Sequence, residues 1–304
     1  MKLRRSDVDG LVLEAMMDAQ PSGNGWRRTN CPLCVYYGEP SEDRRQSFGV
    51  HDSGKWHCFR CGAFGFLGEG AGEAPQGDST PDFMEPPEGF VPLSSSDGQR
   101  SIALAPARAY LASRGVTPDL IERPGLGACA TGKYAGRVVM PVLDTSGKHW
   151  LGYVTRVWLS GKALKRAQQL TEAEGGEFRK YLYPPWPNRG RCLYNEVALR
   201  EPNDRPVLAE EGVFDTFPYL PHAVAFLGKA SHDQLTMLLR APRPVCFVLD
   251  GDAWREARAL TLWMRLHGHP AGFVRLPPKK DPDEMNPTEL TEAAARSIDA
   301  EVEV

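Results

Sequence analysis

The chain has 304 residues, 41% of them apolar and 25% charged, with a formal net charge of −3. That length allows one large domain or two to three small ones with packed cores, and the overall charge selects no partner. No apolar run approaches the ~20 residues that span a membrane, and the basic start MKLRRSDVDG lacks the apolar stretch of a secretory signal, so a cytoplasmic protein is expected. Charge is unevenly spread. Residues 101–204 carry 15 Lys/Arg against 9 Asp/Glu, while 68–100 carry 1 against 7 and 205–304 carry 11 against 15. The central basic block suits a polyanion or is simply a solvated face.

In chain order, Ser6 or Asp7 can cap a helix bearing Val8, Leu11, Leu13 and Met16 or Met17. A loop (PSGNG) leads to Cys31 and Cys34 in CPLC, and then to Cys58 and Cys61 in CFRC. Each CxxC unit can present two thiolates to one tetrahedral ion. Seven cysteines in a reducing compartment also favour metal over disulfides. One structural Zn²⁺ is expected, with no open position for chemistry. His57 could compete with Cys58 as a ligand, but the cysteine has the better geometry. Cys129, Cys192 and Cys246 are scattered and read as buried apolar residues. Between the pairs, SFGVHDSGKWHCF suggests a hairpin about Asp52 and Gly54. Tyr36, Tyr37, Trp56, His57 and Phe59 lie among Arg27, Arg28, Arg44, Arg45, Lys55 and Arg60, a mixture that suits bases and phosphates. Phe59 and at least one tyrosine are expected instead to fill the core of this small domain.

Residues 68–100 are rich in Gly, Pro, Ser and acids and read as a flexible, self-repelling tether. ALAPARAYLASRG then suggests a helix stopped by Gly115, with a second short helix from Pro118. RVVMPVLD and HWLGYVTRVWL flank the turn DTSGK as a hairpin. From Arg205 strands and helices alternate. PVLA and VCFVL are buried strands, GFVRL a third, and SHDQLTMLLR and AWREARALTLWMRLHG are helices. Asn286, Pro287 and Glu289 open a last helix. The expected fold class is α/β: an N-terminal zinc ribbon, an α+β subdomain and an α/β domain with a mainly parallel sheet. The expected domains are 1–67, the linker 68–100, 101–204 and 205–304.

Three acidic motifs follow the strands of the last domain: EEG at 210–212, DGD at 250–252 and DPDE at 281–284. In an open parallel sheet such positions gather at the carboxyl edge. Carboxylates brought together there repel unless cations neutralise them, and hard oxygen ligands suit Mg²⁺ or Mn²⁺. Such ions can bridge phosphates and activate a hydroxyl.

These motifs resemble the Toprim fold, with its Glu-Gly and DxD elements. Four further stretches are similar to DnaG-like and phage primases: WHCFRCG at 56–62, GRVVMPVLDTSGKHWLGYVTR at 136–156, FRKYLYPPW at 178–186 and EGVFDTF at 211–217. The resemblance implies a DNA primase, a nucleotidyltransferase that makes short RNA primers on single-stranded DNA from ribonucleoside triphosphates during replication, in a bacterial cell or phage-infected host. It implies Glu211, Asp250 and Asp252 as catalytic acids, with Asp250, Asp252, Asp281 and Asp283 holding Mg²⁺ or Mn²⁺. Arg137, Arg156, Lys180 and Lys229 match basic positions that face nucleotide or template, with Trp56 and Arg60 joining them from the zinc domain. Asp215 matches the acid of a family EGYMDV motif. The first cysteine pair follows the phage pattern, FLGKA replaces the usual Gly-Thr-Ala, and KYLYPPW lacks the usual Asn. About 20 residues follow DPDE, so a replicative helicase is expected as a separate chain. The alternatives are a Toprim nuclease or topoisomerase-like enzyme and a non-catalytic recombination mediator.

Overall fold

A computed structural model of the chain describes residues 5–67, 83–122 and 124–300. They fall into two compact units. One comprises Met1–Asp78, Leu199–Glu211 and His232–Val304, the other Ser79–Ala198 and Gly212–Ser231.

The first unit begins with helix α1 (Arg5–Met17), which buries Val8 and Val12. Five short antiparallel strands follow: β1 (Gln20–Gly23), β2 (Trp26–Thr29), β3 (Phe48–His51), β4 (Lys55–Cys58) and β5 (Phe64–Phe66). The expected β3–β4 hairpin turns at Gly54, whose φ of 83° favours glycine. Along β4 the period-2 alternation of a strand turns Trp56 and Cys58 inward, leaving Lys55 exposed and His57 half-buried.

The second unit carries β6 (Phe90–Pro92), α2 (Ser96–Arg100), α3 (Ala105–Ser113), α4 (Pro118–Glu122), β7 (Gly127–Cys129), β8 (Arg137–Leu143), β9 (Trp150–Val157), α5 (Gly161–Ala173) and β10 (Tyr181–Leu182). Its strands form an antiparallel sheet in the order β10-β9-β8-β7-β6. The expected β8–β9 hairpin is present. Its turn is closed by the Asp144 carboxylate, which accepts from the amides of Lys148 and His149 at 3.1 and 3.2 Å. Leu111, Leu126, Met140 and Val154 fill the core. Of the stretch read as a tether, 68–82 lies outside the described residues, and the part from residue 90 is built into this unit. The apolar residues of FVPL supply the reason: β6 adds a strand beside β7, Leu93 is buried, and the Ser95 hydroxyl accepts from Gly98 N to cap α2. Helix α5 was not among the expected elements, and none of its residues is buried.

Strand β11 (Val207–Glu210) returns the chain to the first unit, while α6 (Val213–Thr216) and β12 (Ala223–Ala225) belong to the second. The rest of the first unit is α7 (His232–Leu239), β13 (Val245–Phe247), α8 (Trp254–Leu266), β14 (Ala271–Phe273) and α9 (Pro287–Asp299). β11, β13 and β14 are parallel and almost wholly buried, as in a sheet covered on both faces. The Asn286 side chain caps α9 by accepting from Thr288 and Glu289 N.

Within the first unit the cysteine-bearing strands pack on α8. Ala259 belongs to the same buried cluster as Val8, Leu33, Phe48 and Trp56, flanked by Leu262 and Leu266. Phe64 stacks on Trp263 at 6.1 Å and Phe66 lies 4.0 Å from His232. The Arg258 guanidinium donates to the Tyr37 carbonyl. Residues 1–67, expected to fold as a separate domain, therefore share a core with α8. Replacing Trp263, 3% exposed, with alanine should cost about 3–5 kcal/mol. Hydrogen-exchange protection should fall together in β5 and α8, and loss confined to α8 would show that the strands hold themselves.

Candidate metal centres and nucleic-acid surfaces

The Sγ atoms of Cys31, Cys34, Cys58 and Cys61 all lie within 4.8 Å of one another. Cys31–Cys61 and Cys34–Cys58 are 3.9 and 3.8 Å apart. A tetrahedron with Zn–S of about 2.3 Å has edges of about 3.8 Å, so the four sulfurs fit Zn²⁺. Backbone N–H groups support them: Leu33 N donates to Cys31 Sγ at 3.3 Å and Arg60 N to Cys58 Sγ at 3.4 Å. Buried Asp43 fixes the first knuckle by accepting from Cys31 N and Ser47 N at 2.9 and 2.8 Å. Burial raises its pKa, but bonds from Arg45, Cys31 and Ser47 outweigh that and hold it below the usual carboxylate range. Hydrogen bonding with Cys31 and Cys61 lowers Cys58, while hydrogen bonding with Cys58 and Cys61, burial and their charges raise Cys31, so four thiolates need a cation to coexist. His57 packs edge-on against Phe59 at 4.7 Å. Cys129, Cys192 and Cys246 are buried as expected. Cys58→Ser should lower metal content from one Zn²⁺ per chain to near zero and unfold the β3–β4 hairpin. Elemental analysis with circular dichroism checks this, and full zinc content in the variant would show that another ligand completes the site.

The acids sit at the ends of the parallel strands. β11 runs directly into Glu210 and Glu211, and β13 runs through buried Val248 and Leu249 into Asp250. Asp281 and Asp283 arrive on the loop after β14, which is held against the DGD turn by a bond from Gly251 N to Lys280 O at 2.9 Å. Gly251 is required there, because a Cβ would lie 2.0 Å from the Pro277 carbonyl oxygen. Glu210 is fully buried, Glu211, Asp250 and Asp283 are half-buried, and Asp252 and Asp281 are exposed. Burial, followed by the charges of Asp281, Glu211, Asp283 and Asp252, pushes Asp250 up to about 6. Among the described residues only the four cysteines bring three or more ligand atoms within 4.8 Å, so the acids surround Asp250 at a wider spacing. Their oxygens fit a hard divalent cation. Because Asp250 is raised, the folded chain holds its proton where the unfolded chain has lost it. Stability therefore falls as pH rises from the ordinary value of about 3.9 through about 6. Asp250→Asn should stabilise the metal-free chain at pH 7.5, by about 1 kcal/mol after solvent screening, and lose that advantage near pH 4. Thermal melts in chelator check this, and an equal gain at both pH values would show that the charge is not responsible.

The basic positions divide. Lys180 and Lys229 are exposed. Arg137 donates to the carbonyls of Lys180 and Arg179 at 3.0 and 2.7 Å, tying β8 to the segment before β10. Arg156 bonds the Tyr181 hydroxyl and lies over the rings of Tyr181 and Phe214 at 4.8 and 4.9 Å. Asp215 accepts from Gly212 N at 2.9 Å and closes the first turn of α6.

Trp56 and Phe59 exchange their expected places. Trp56, 3% exposed, packs 5.6 Å from Phe48 and cannot stack a base. Phe59, expected in the core, is 64% exposed, with the Arg28 guanidinium 5.0 Å from its ring. The signal was available: Cys58 must face the metal, so Trp56 two residues away shares its side of β4. Arg60 is committed to Glu39 at 3.1 Å, Ser41 Oγ at 3.0 Å and Glu42 O at 2.8 Å. It lines a cavity of about 750 Å³ with Ser41, Glu42, Arg44, Arg45, Ser47 and Phe59, so an exposed ring among cations lies at Phe59 rather than at Trp56. Tyr37 is buried, as expected for one tyrosine.

Among the described residues no helix is long and apolar enough to cross a membrane. No protein-family model matches the sequence. The DNA primase of Salmonella typhimurium strain LT2 is 25% identical over 233 residues, covering 60% of this chain and 37% of that protein. The chain thus spans little more than a third of that relative's length. The structure resembles the DnaG catalytic core with a TM-score of 0.51 at 24% identity, over 65% of this chain and 74% of that one. It also resembles the zinc-binding and RNA polymerase domains of the Aquifex aeolicus primase, with a TM-score of 0.50 at 18% identity, over 96% and 84% of the two chains. The fold is therefore that of a DnaG-type zinc-binding domain and catalytic core, and the parallel strands fit a Toprim-like domain.

Proposed function

We propose that the chain is a DNA primase, joining ribonucleoside triphosphates into short RNA primers on a single-stranded DNA template for DNA replication. The observation that carries this reading is the gathering of Glu211, Asp252, Asp281 and Asp283 around Asp250 at the carboxyl end of buried parallel strands. Such a concentration of like charge costs stability and serves to hold cations. Divalent ions bound there supply charge neutralisation to a triphosphate and lower the pKa of an attacking hydroxyl. The reaction joins the 3′-oxygen of one nucleotide to the α-phosphorus of the next, and pyrophosphate leaves.

We assign Asp250 and Asp252 to cation holding, with Asp281 and Asp283 in support, and Glu211 to the proton of the attacking hydroxyl. Glu210, fully buried, stays out of reach of substrate. Exposed Lys180 and Lys229 draw in the polyanion, while Arg137 and Arg156 hold the segment that presents Lys180. On the zinc ribbon, Phe59 with Arg28, Arg44 and Arg45 offers a ring and cations to unpaired bases and their phosphates.

The test is primer synthesis on a randomised single-stranded template with Mg²⁺ or Mn²⁺ and ribonucleoside triphosphates. Wild-type chain should make dinucleotides and short primers. Asp250→Ala, Asp252→Ala and Glu211→Ala should each lower the rate at least a thousandfold with an unchanged circular dichroism spectrum. Full activity in an Asp250→Ala, Asp252→Ala double variant would overturn the assignment. Nicking or relaxation of supercoiled DNA without primer synthesis would favour a Toprim nuclease or topoisomerase-like enzyme.

A further inference from the structure

Helix α5 has a construction that the proposed chemistry does not use. Its sequence, GKALKRAQQLTEA, is built from good helix formers, yet no residue in it is buried. Isolated helices of this length are marginal in water. At 3.6 residues per turn, half-buried Leu164, Ala167 and Thr171 fall on one side. Lys162, Lys165 and Arg166 fall within an arc of about 100° on the opposite side, over about 6 Å of helix. All three are exposed, and none has an ion-pair or hydrogen-bond partner among the described residues. The first turn contains no acid, and Glu172 is engaged by Gln168 at 2.8 Å toward the far end. The helix leaves and rejoins the sheet beside further cations: Trp158 N donates to Gly136 O at 3.1 Å, and Val157 N to Lys180 O at 3.1 Å. The chain on either side of α5 is thus tied to the segments that carry Arg137 and exposed Lys180.

We propose that this face of α5 grips the phosphate backbone of a nucleic-acid duplex, the hybrid of primer and template, an inference that rests on the primase reading. The choice of duplex over single strand comes from what the face lacks. Single-strand surfaces pair cations with aromatic rings on which bases stack, as at Phe59 on the zinc ribbon, and α5 carries no aromatic residue. Three cations on a rigid rod suit a backbone with one charge per about 1.7 Å of axis. The helix needs no groove, since phosphate contacts position a duplex without reading its sequence.

The test compares full-length wild type with a Lys162→Gln, Lys165→Gln, Arg166→Gln variant and with a charge-keeping Lys162→Arg, Lys165→Arg, Arg166→Lys variant. Each is titrated with an RNA–DNA hybrid and with a single-stranded oligonucleotide over a range of salt, with thermal melts confirming the fold. Three lost phosphate contacts at about 0.9 each should flatten the log K against log salt slope on the hybrid by about 2.7. The single-strand slope should not change, and the charge-keeping variant should match wild type. An unchanged hybrid slope would overturn the proposal, as would equal losses on hybrid and single strand. Because the readout is equilibrium binding without nucleotides, it is independent of primer synthesis. A flattened hybrid slope in a chain that makes no primers would leave the duplex grip standing and remove the primase reading.

Discussion

Five carboxylates held around one point repel one another, and the parallel strands that carry them have to supply the restraint. Burial and four neighbouring charges raise Asp250 together, so the folded state works against itself there at neutral pH. The restraint is backbone. β11, β13 and β14 are pinned by their ladders, and the DGD turn lies so close to the Pro277 carbonyl that only glycine fits between its two acids. Helix α8 starts two residues after Asp252, so the positive end of its dipole faces the acids. This offsets part of the cost, by about 0.3–1 kcal/mol per charge at an exposed site.

The same helix carries the zinc ribbon. A domain of some 60 residues buries too little surface to be robust alone, and a four-thiolate metal site is the usual supplement. Here α8 adds a second one, through Ala259, Trp263 and the bond from Arg258 to the knuckle at Tyr37. One helix therefore begins beside the acids and packs along its flank against the ribbon.

The surfaces that carry exposed cations differ in composition. The ribbon offers an exposed ring with cations around a cavity, a combination suited to unpaired bases. The second unit offers exposed lysines and the aromatic-free cationic face of α5, suited to phosphates. The basic excess of residues 101–204 was evident from composition, but composition does not say which charges are available. Arg137 and Arg156 spend theirs on carbonyls and rings.

Sequence alone was enough for features set by local spacing. The two CxxC units, the β8–β9 hairpin, the cap of α9 at Asn286 and the acids placed after buried strands all follow from contacts within a few residues or from period-2 and period-3.6 patterns. It was also enough, in principle, for α5, whose composition is that of a helix. The fold decided matters that depend on residues far apart in the chain. The end of the acidic stretch became a strand because β7 offered it an edge. The ribbon lost its expected independence because α8, some 200 residues later, presents an apolar flank to it, and no local pattern records a partner at that separation.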